Sequence, residues 1–468
     1  MSRAGDLHPA PRDGPRDRPE RWHGANYTTR AACLVLILLR SALPAAAPAP
    51  RQEQARLLDI ESFDYVWKTV KEKHWDPDLG GLDWDAVRRE FRPLVERAKT
   101  AEEARAAMNR MLARLGHSHF AVVPAAVYRE LNREEGGPSK YPAGMGEPGI
   151  DVRVIDGCAL VTRVEPGSPA ALSGVHPGYE VVRIGERPVR DVIDRIVESY
   201  RDSTLLEHHL RRAVMARMTG RIGDKVRIEF LDGSGRAAAA EIALARPRGT
   251  RAGFGNLEPQ FVWFESRKLP GNIGYIAFNL FLDPPMLMKS FGDAVESFMD
   301  CAGIIIDLRG NPGGIGAMSM GMAGWFISKP DQRLGTMYMR GLTLRFTVIP
   351  RARTYNGPLA VLVDGCSVST SEILAGGLKD LGRARIFGTR SGAAALPSIF
   401  ERLPNGDGFQ YAIGYYVSEG GKPLEGIGVT PDTVVAPTRA ALLRGEDPVI
   451  DAARAWIEER AAVASRPK

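Results

Sequence analysis

The sequence predicts an α/β fold joined to a β-rich region and preceded by helices. Three observations carry this reading. Apolar residues recur at helical spacing between residues 53 and 115: Phe63, Val66, Trp67 and Val70, then Val87, Phe91, Leu94 and Val95, then Ala107, Met108, Met111, Leu112 and Leu115. Short β-rich runs separated by Gly/Pro turns fill residues 145–247. Continuous apolar runs, each followed by a Gly- or Ser-rich turn, mark residues 255–440 as strands buried on both faces. At about 100–200 residues per domain, 468 residues accommodate these parts.

Composition narrows the function classes. Hydrophobic residues at 44% and charged residues at 25% are ordinary globular values, which exclude a disordered, collagenous or coiled-coil chain. The four cysteines (Cys33, Cys158, Cys301, Cys366) are too scattered for a disulfide framework or a Cys-based zinc site. The net charge of +6 would suit a nucleic acid or an anionic surface. Half of it lies in residues 1–50, which hold seven Arg and four acids. The remaining 418 residues carry only +3, with no basic patch interleaved with aromatics, so no nucleic-acid partner is expected.

Residues 1–50 read as a leader. A basic, Pro-rich stretch runs into Ala31–Leu39, then into the small residues around Ala45–Ala47. Basic region, short apolar run and small residues form the pattern of a secretory signal. The apolar run is short of the ~20 residues that a mature spanning helix needs. An exported protein, periplasmic or extracellular, is expected, and a leader left uncleaved would tether it to a membrane.

Residues 53–135 form the helical segment. Asp76–Gly81 breaks its first helix from its second. Thr100 and Glu103 make a capping box that opens the third. The segment contains the loop Leu115-Gly116-His117-Ser118-His119-Phe120. In residues 145–247 the strands expected are 150–154, 159–164, 180–184 and 225–230, with a turn and short helix at Pro166–Gly174 and a polar helical stretch near 190–217. This region resembles a PDZ domain, apart from Tyr179, where that motif usually carries Asp, and the inserted helical stretch. The resemblance implies that a peptide tail adds a strand at a sheet edge, with Gly149, Ile150, Asp151 and Val152 as the carboxylate-binding loop.

Residues 255–440 carry strands at 273–278, 303–308 and 359–363, and helices at 284–299 and 373–381. The strand Leu359–Val363 runs into Asp364-Gly365-Cys366-Ser367-Val368-Ser369-Thr370-Ser371-Glu372 and then a helix. Such an elbow exposes a hydroxyl at the carboxyl end of a sheet, beside a helix N-terminus that favours developing negative charge. Residues 441–468 are expected to form a C-terminal helix and tail.

The motifs DLRGNPGG (307–314), SVSTSEILAGGLKD (367–380) and LEGIGVTPD (424–432) occur in one order behind the helical and PDZ-like parts. Together they resemble the tail-specific, C-terminal processing serine peptidases and their tricorn-type relatives, over nearly all of residues 55–440. The resemblance implies a crotonase-like α/β peptidase core that acts on the C-terminal tails of polypeptides, without a cofactor. It places the nucleophile at Ser369, and Asp307 and Arg309 shape the adjoining loop. The lysine base of the processing branch would lie 25 residues on, where this chain has Ala394, and no lysine occurs between Asp380 and Asn405. The tricorn-type branch uses a histidine from a Ser-His pair ahead of the PDZ domain and a distal glutamate. Ser118, His119 and Glu425 occupy those positions, although His117 and Phe120 depart from the usual flanks.

In that arrangement His119 takes the proton of Ser369 and returns it to the leaving amine. Ser118 and Glu425 orient the site, and the sequence does not decide which of them touches the imidazole. Oxyanion donors are expected from Gly313 or Gly314 and from the Thr370 amide. Two histidines at His117 and His119 complete no zinc site, so no metal is expected. Two other readings stay open: a non-catalytic binding protein on the same scaffold, and a Ser/Lys peptidase with Lys422 as a displaced base. Oligomeric state is not legible.

Overall fold

Continuous burial dictates the central layer. Ile273–Phe278, Gly303–Asp307 and Leu359–Val363 are buried at every position, as strands covered on both faces must be. The computed structural model describes residues 50–117, 119–125, 128, 144–254, 257–395 and 397–464. The leader, Ser118 and most of residues 126–143 lie outside the described residues. From Pro50 onward the chain is one compact unit.

Six strands form the central sheet, in spatial order Phe264–Leu269, Ile273–Phe278, Gly303–Asp307, Leu359–Val363, Arg385–Gly388 and Thr433–Val434. The first pair is antiparallel and the others are parallel. One face takes Ile304, Ile306, Val361 and Val363 into a core shared with the helices Pro284–Ser297, Ala317–Ala323 and Thr370–Asp380. The other face packs Ile305, Ala360, Leu362 and Phe387 against Val449, Ala453 and Ile457 of the C-terminal helix Pro448–Ala464. Parallel strands feeding helices place their carboxyl-end loops along one edge, where sites form in such sheets.

The N-terminal helices Pro50–Lys73, Trp84–Glu96 and Ala101–Ala113 share the first of these cores. Thr100 caps the third helix by accepting the Glu103 amide, as its sequence indicates. Beyond that helix, Ala121–Val123 pairs antiparallel with Gly408–Ala412, with Val122 opposite Phe409. Asn109 completes the join by accepting from the Val122 amide (2.7 Å) and donating to its carbonyl (2.9 Å). Arg105 forks onto the buried Asp407 (2.9 and 3.1 Å). The loop before Ala121 is therefore tied at its C-terminal end to the main body.

The β-rich region has its own core of Val152, Val161, Val181, Ile228 and Phe230. Its sheet runs Ile150–Ile155, Cys158–Val164, Glu180–Ile184, Lys225–Leu231, Ala237–Ala243, which leaves Ile150–Ile155 at an edge. The polar stretch between these strands folds as two helices, Val189–Tyr200 and Leu206–Ala216. The second packs against the edge strand. Elements elsewhere in the β-rich and α/β regions match the sequence pattern within a few residues. The helix expected from Ile373 begins at Thr370, because Ser369 is its N-cap. Among the described residues no helix is long and apolar enough to cross a membrane.

Two ion-pair systems fasten the sheet's loop edge. Arg309 binds Asp307 (2.6 Å) and Asp447 (2.8 Å), and Tyr275 donates to Asp307 (2.8 Å). Burial alone would raise the Asp307 carboxyl, but the paired Arg309 holds it below its usual value. Asp447 also caps the C-terminal helix by accepting from Val449 and Ile450. The second system reaches across regions: Arg153 of the edge strand binds Asp364 (2.7 Å) and Asp151 (2.9 Å), and Arg211 binds Asp151 (2.7 Å). Removing one member of a buried pair leaves an uncompensated charge. Arg309→Met should therefore lower unfolding free energy by about 3–5 kcal/mol, read by chemical denaturation. A loss under about 1 kcal/mol would mean that Asp307 is solvated after all.

Candidate functional site

The elbow after Leu359–Val363 is strained. Ser369 has φ 57° and ψ −116°, left-handed backbone in a residue with a Cβ. Such a conformation costs on the order of 1–3 kcal/mol and persists only where its surroundings fix it. Here the Ser369 amide donates to the Ala394 carbonyl (3.0 Å) and to Glu372 Oε2 (3.0 Å). Ser367 is fully buried and donates to the Leu308 carbonyl (2.8 Å), and Ser371 donates to the Asn311 carbonyl (2.9 Å). Of the three serines in this stretch, two are therefore bound into the turn, and Ser369 lines a cavity of about 620 Å³.

Glu372 is the group that sequence reasoning passed over. It is fully buried, and its carboxylate accepts from four donors: the amides of Ser369, Ala393 (2.8 Å) and Ala394 (2.9 Å), and the Ser391 hydroxyl. Burial pushes its pKa up to about 7, against the pull of those donors. The signal was present, since Ser369-Thr370-Ser371-Glu372 is itself the S-x-x-E pattern of a capping box. Ser391 Oγ in turn accepts the Val429 amide (2.7 Å), and the Ala393 carbonyl accepts the Gly426 amide (3.0 Å). The loop 424–429 is thereby stapled to the segment that clamps the elbow.

That loop carries Glu425, which contacts His119 Nδ1. The His119 side chain is buried and Glu425 nearly so. The structure thus puts Glu425 on the imidazole, while Ser118 lies outside the described residues. His119 also has left-handed backbone, at φ 67°. Its neighbour His117 is exposed and packs against Trp75 and His74. His209 lines the same cavity as Ser369, whereas His119 is not among the described residues lining it. Sequence reasoning had left His208, His209 and Arg212 in a featureless polar stretch; the helix Leu206–Ala216 sets all three in the cavity wall.

The glycine turn lies against the elbow. Gly313 donates its amide to Asn311 Oδ1 (2.9 Å), which occupies it. Gly314 lines the cavity beside Thr370, whose hydroxyl donates to the Gly314 carbonyl (2.9 Å). A side chain at Gly314 (φ 135°) would meet the Phe281 carbonyl at 2.2 Å, so the position requires glycine. Ala394, at the place of the lysine in the processing branch, is buried in the same cavity wall. Lys422 is exposed and is not among the residues lining that cavity. Cys366 is buried, and burial pushes its thiol up to about 12, far from a reactive thiolate. Among the described residues no group of three or more His, Cys, Asp or Glu is gathered as metal ligands would be.

The peptide-binding expectation falls on a bonded loop. Gly149 has φ 80°, and its carbonyl accepts the Glu165 amide (2.9 Å). Ile150 and Val152 point into the β-rich core, whereas Asp151 is held by Arg153 and Arg211.

The raised Glu372 carboxyl has a thermodynamic consequence. Its ordinary value is 4.5 and its folded value about 7, so the folded chain retains a proton that the unfolded chain releases between those values. The associated stability is fully present below pH 4.5 and is lost as pH rises through about 7, a span worth roughly 3 kcal/mol. Glu372→Gln cannot titrate. The stability advantage of the native chain over this variant, measured by denaturation at about pH 5 and about pH 7.5, should shrink at the higher pH by roughly 2–3 kcal/mol. An advantage that grows with pH would show a depressed carboxyl instead.

Known proteins resemble this chain in sequence and fold. Residues 272–435 match peptidase family S41, and residues 61–113 match the tricorn protease C1 domain. The carboxyl-terminal-processing protease of Picosynechococcus sp. is 26% identical over 86% of this chain and 87% of its own length. Carboxyl-terminal-processing peptidase 3, chloroplastic, of Arabidopsis thaliana is also 26% identical, over 84% of this chain and 72% of its own. Among solved structures, mature CPAF shares the fold, with a TM-score of 0.56 at 14% identity, covering 88% of this chain and 99% of that one. The chain thus carries a peptidase family S41 region over residues 272–435 and is similar along most of its length to carboxyl-terminal-processing proteases.

Proposed function

We propose that this peptidase is an exported serine endopeptidase that hydrolyses polypeptides through Ser369, with His119 as base and Glu425 as its orienting acid. The observation that carries the reading is the His119–Glu425 contact, stapled through Ser391, Ala393 and Glu372 to the elbow of Ser369. Serine is a weak nucleophile until a base takes its proton. With Nδ1 held by Glu425, the imidazole presents Nε2 as the proton acceptor.

Ser369 Oγ then forms a bond to the scissile carbonyl carbon while its proton passes to His119. The carbonyl oxygen becomes an oxyanion, which the Gly314 and Thr370 amides stabilise; Gly313 has its amide engaged with Asn311. Collapse breaks the C–N bond as His119 gives its proton to the leaving amine. Water, deprotonated by His119, then hydrolyses the acyl-enzyme and restores Ser369. Ser118 is retained as a further orienting group of this site.

Substrate tails are captured by the β-rich region acting as a PDZ domain. The open edge of Ile150–Ile155, preceded by Gly149, suits addition of an extended strand. Capture there would place the tail next to Arg153, whose other partner is Asp364 at the root of the elbow.

Ser369→Ala and His119→Ala should each lower kcat/KM on an unstructured polypeptide by about 10⁶-fold. Glu425→Gln should act mainly on kcat. A serine-reactive fluorophosphonate should label the native chain and not Ser369→Ala. Unchanged turnover in either alanine variant would remove the assignment, and a folded native chain that neither labels nor cleaves would point to a binding protein.

A further inference from the structure

The cavity at Ser369 has two unlike walls. One comes from the hairpin of Arg333–Met339 and Leu342–Thr347, which contributes Met337, Leu344 and Phe346. The other comes from the helix Leu206–Ala216, which contributes His208, His209 and Arg212. No Asp or Glu lines the cavity among the described residues. Burial first, and neighbouring bases second, lower the pKa of both histidines, which favours their neutral forms on that wall.

Leu342–Thr347 is hydrogen-bonded on one side only and forms the edge of a three-stranded sheet. With a period of two, Leu342, Leu344 and Phe346 share a face. Phe346 is almost fully buried at 6% exposure and sits behind, T-stacked on Tyr416. Leu344 stands opposite Met337 and keeps 40% exposure, although leucine gains by burial. An open apolar rim beside a nucleophile is a surface that a substrate side chain can cover.

Chemistry selects that side chain. A lysine or arginine entering here would lose water, and no carboxylate among the described residues lines the cavity to receive it. A carboxylate would be desolvated against Leu344, Met337 and Phe346. An apolar side chain would bury Leu344 and pay neither cost.

We propose that Leu344, backed by Met337 and Phe346, is a specificity-determining residue that admits an apolar side chain, and excludes a basic one, at the substrate residue flanking the scissile bond. The inference rests on the reading of Ser369 as nucleophile. It is tested on the full chain with peptides identical except for Leu or Lys beside one cleavable bond, with cleavage read by mass spectrometry. The native chain should favour Leu over Lys by at least about 100-fold in kcat/KM. Leu344→Glu, at an exposed edge, should narrow that ratio by about tenfold or more by admitting Lys, with Tm unchanged. Should Leu344→Glu fold poorly, Leu344→Thr keeps a strand-forming residue and should reduce cleavage at Leu several-fold without admitting Lys. Equal cleavage of both peptides by the native chain, or a ratio untouched by the folded variants, overturns the proposal. Turnover that survives Ser369→Ala instead overturns the nucleophile reading on which it rests, and the proposal falls with it. Loss of turnover in Ser369→Ala, with a ratio that Leu344 does not move, overturns the pocket alone.

Discussion

The site hangs on one buried carboxylate. Glu372 gathers the amides of Ser369, Ala393 and Ala394 and the hydroxyl of Ser391 onto two oxygens. Without those two oxygens, three buried amides would lose an acceptor, each unmet donor costing about 1–3 kcal/mol. The strained Ser369 backbone is tolerable because this clamp and the Ala394 carbonyl hold it from the adjacent segment. The same segment anchors the loop of Glu425 through Gly426 and Val429. Ser369 and Glu425, the proposed nucleophile and orienting acid, are therefore fixed relative to each other by a single polar knot, not by the sheet alone.

Around that knot the charged network has a division of labour. Asp364 ties the root of the elbow to the glycine turn by accepting the Gly310 amide (2.9 Å) and that of Cys366 (3.0 Å). Arg153 neutralises it from the β-rich region, and Arg211 and Asp151 continue the alternation of charge. Burial of several charges is tolerable because each has an opposite partner at hydrogen-bond distance. Arg309 repeats the device on the far side, joining the Gly303–Asp307 strand end to the start of the C-terminal helix. The loops that meet at the elbow are thus held from both flanks.

What could be read from the sequence follows the range of the interactions involved. Ile273–Phe278, Gly303–Asp307 and Leu359–Val363 were legible because their burial on both faces leaves a continuous apolar run. Thr100 and its helix were legible because capping is local. Ser369 is singled out by its motif, and Glu425 by its own, yet the connection between them is not legible in sequence, because it runs through Ala393 and Ser391, residues with no chemical signature. His208 and Arg212 were opaque for another reason. One helical turn apart on a polar helix, they read as a solvated face, and only the packing of Leu206–Ala216 against the strand Ile150–Ile155 turns that face toward Ser369. The exposed Leu344 was equally silent, since a single apolar residue on an edge strand is ordinary until its neighbours are known.

The proposed change of base has a structural corollary. A lysine at position 394 would sit on the very segment that Glu372 clamps, so its placement would be a local matter. Ala394 instead gives that space to the cavity wall, and the proposed base arrives from 250 residues upstream. Its position then depends on how the N-terminal helices dock. The docking is correspondingly firm: Phe63, Val66 and Met108 enter the same core as Phe278 and Ile304. Asn109 grips both polar groups of Val122, and Arg105 buries its charge on Asp407. The core contacts and the Arg105–Asp407 pair join residues distant in sequence, so they form only as the chain collapses onto the sheet. A fragment beginning at the β-rich region would keep the elbow, the clamp and the glycine turn, and it would lack the proposed base altogether. In this reading the active geometry belongs to the folded whole, and its N-terminal helices are part of the catalytic apparatus.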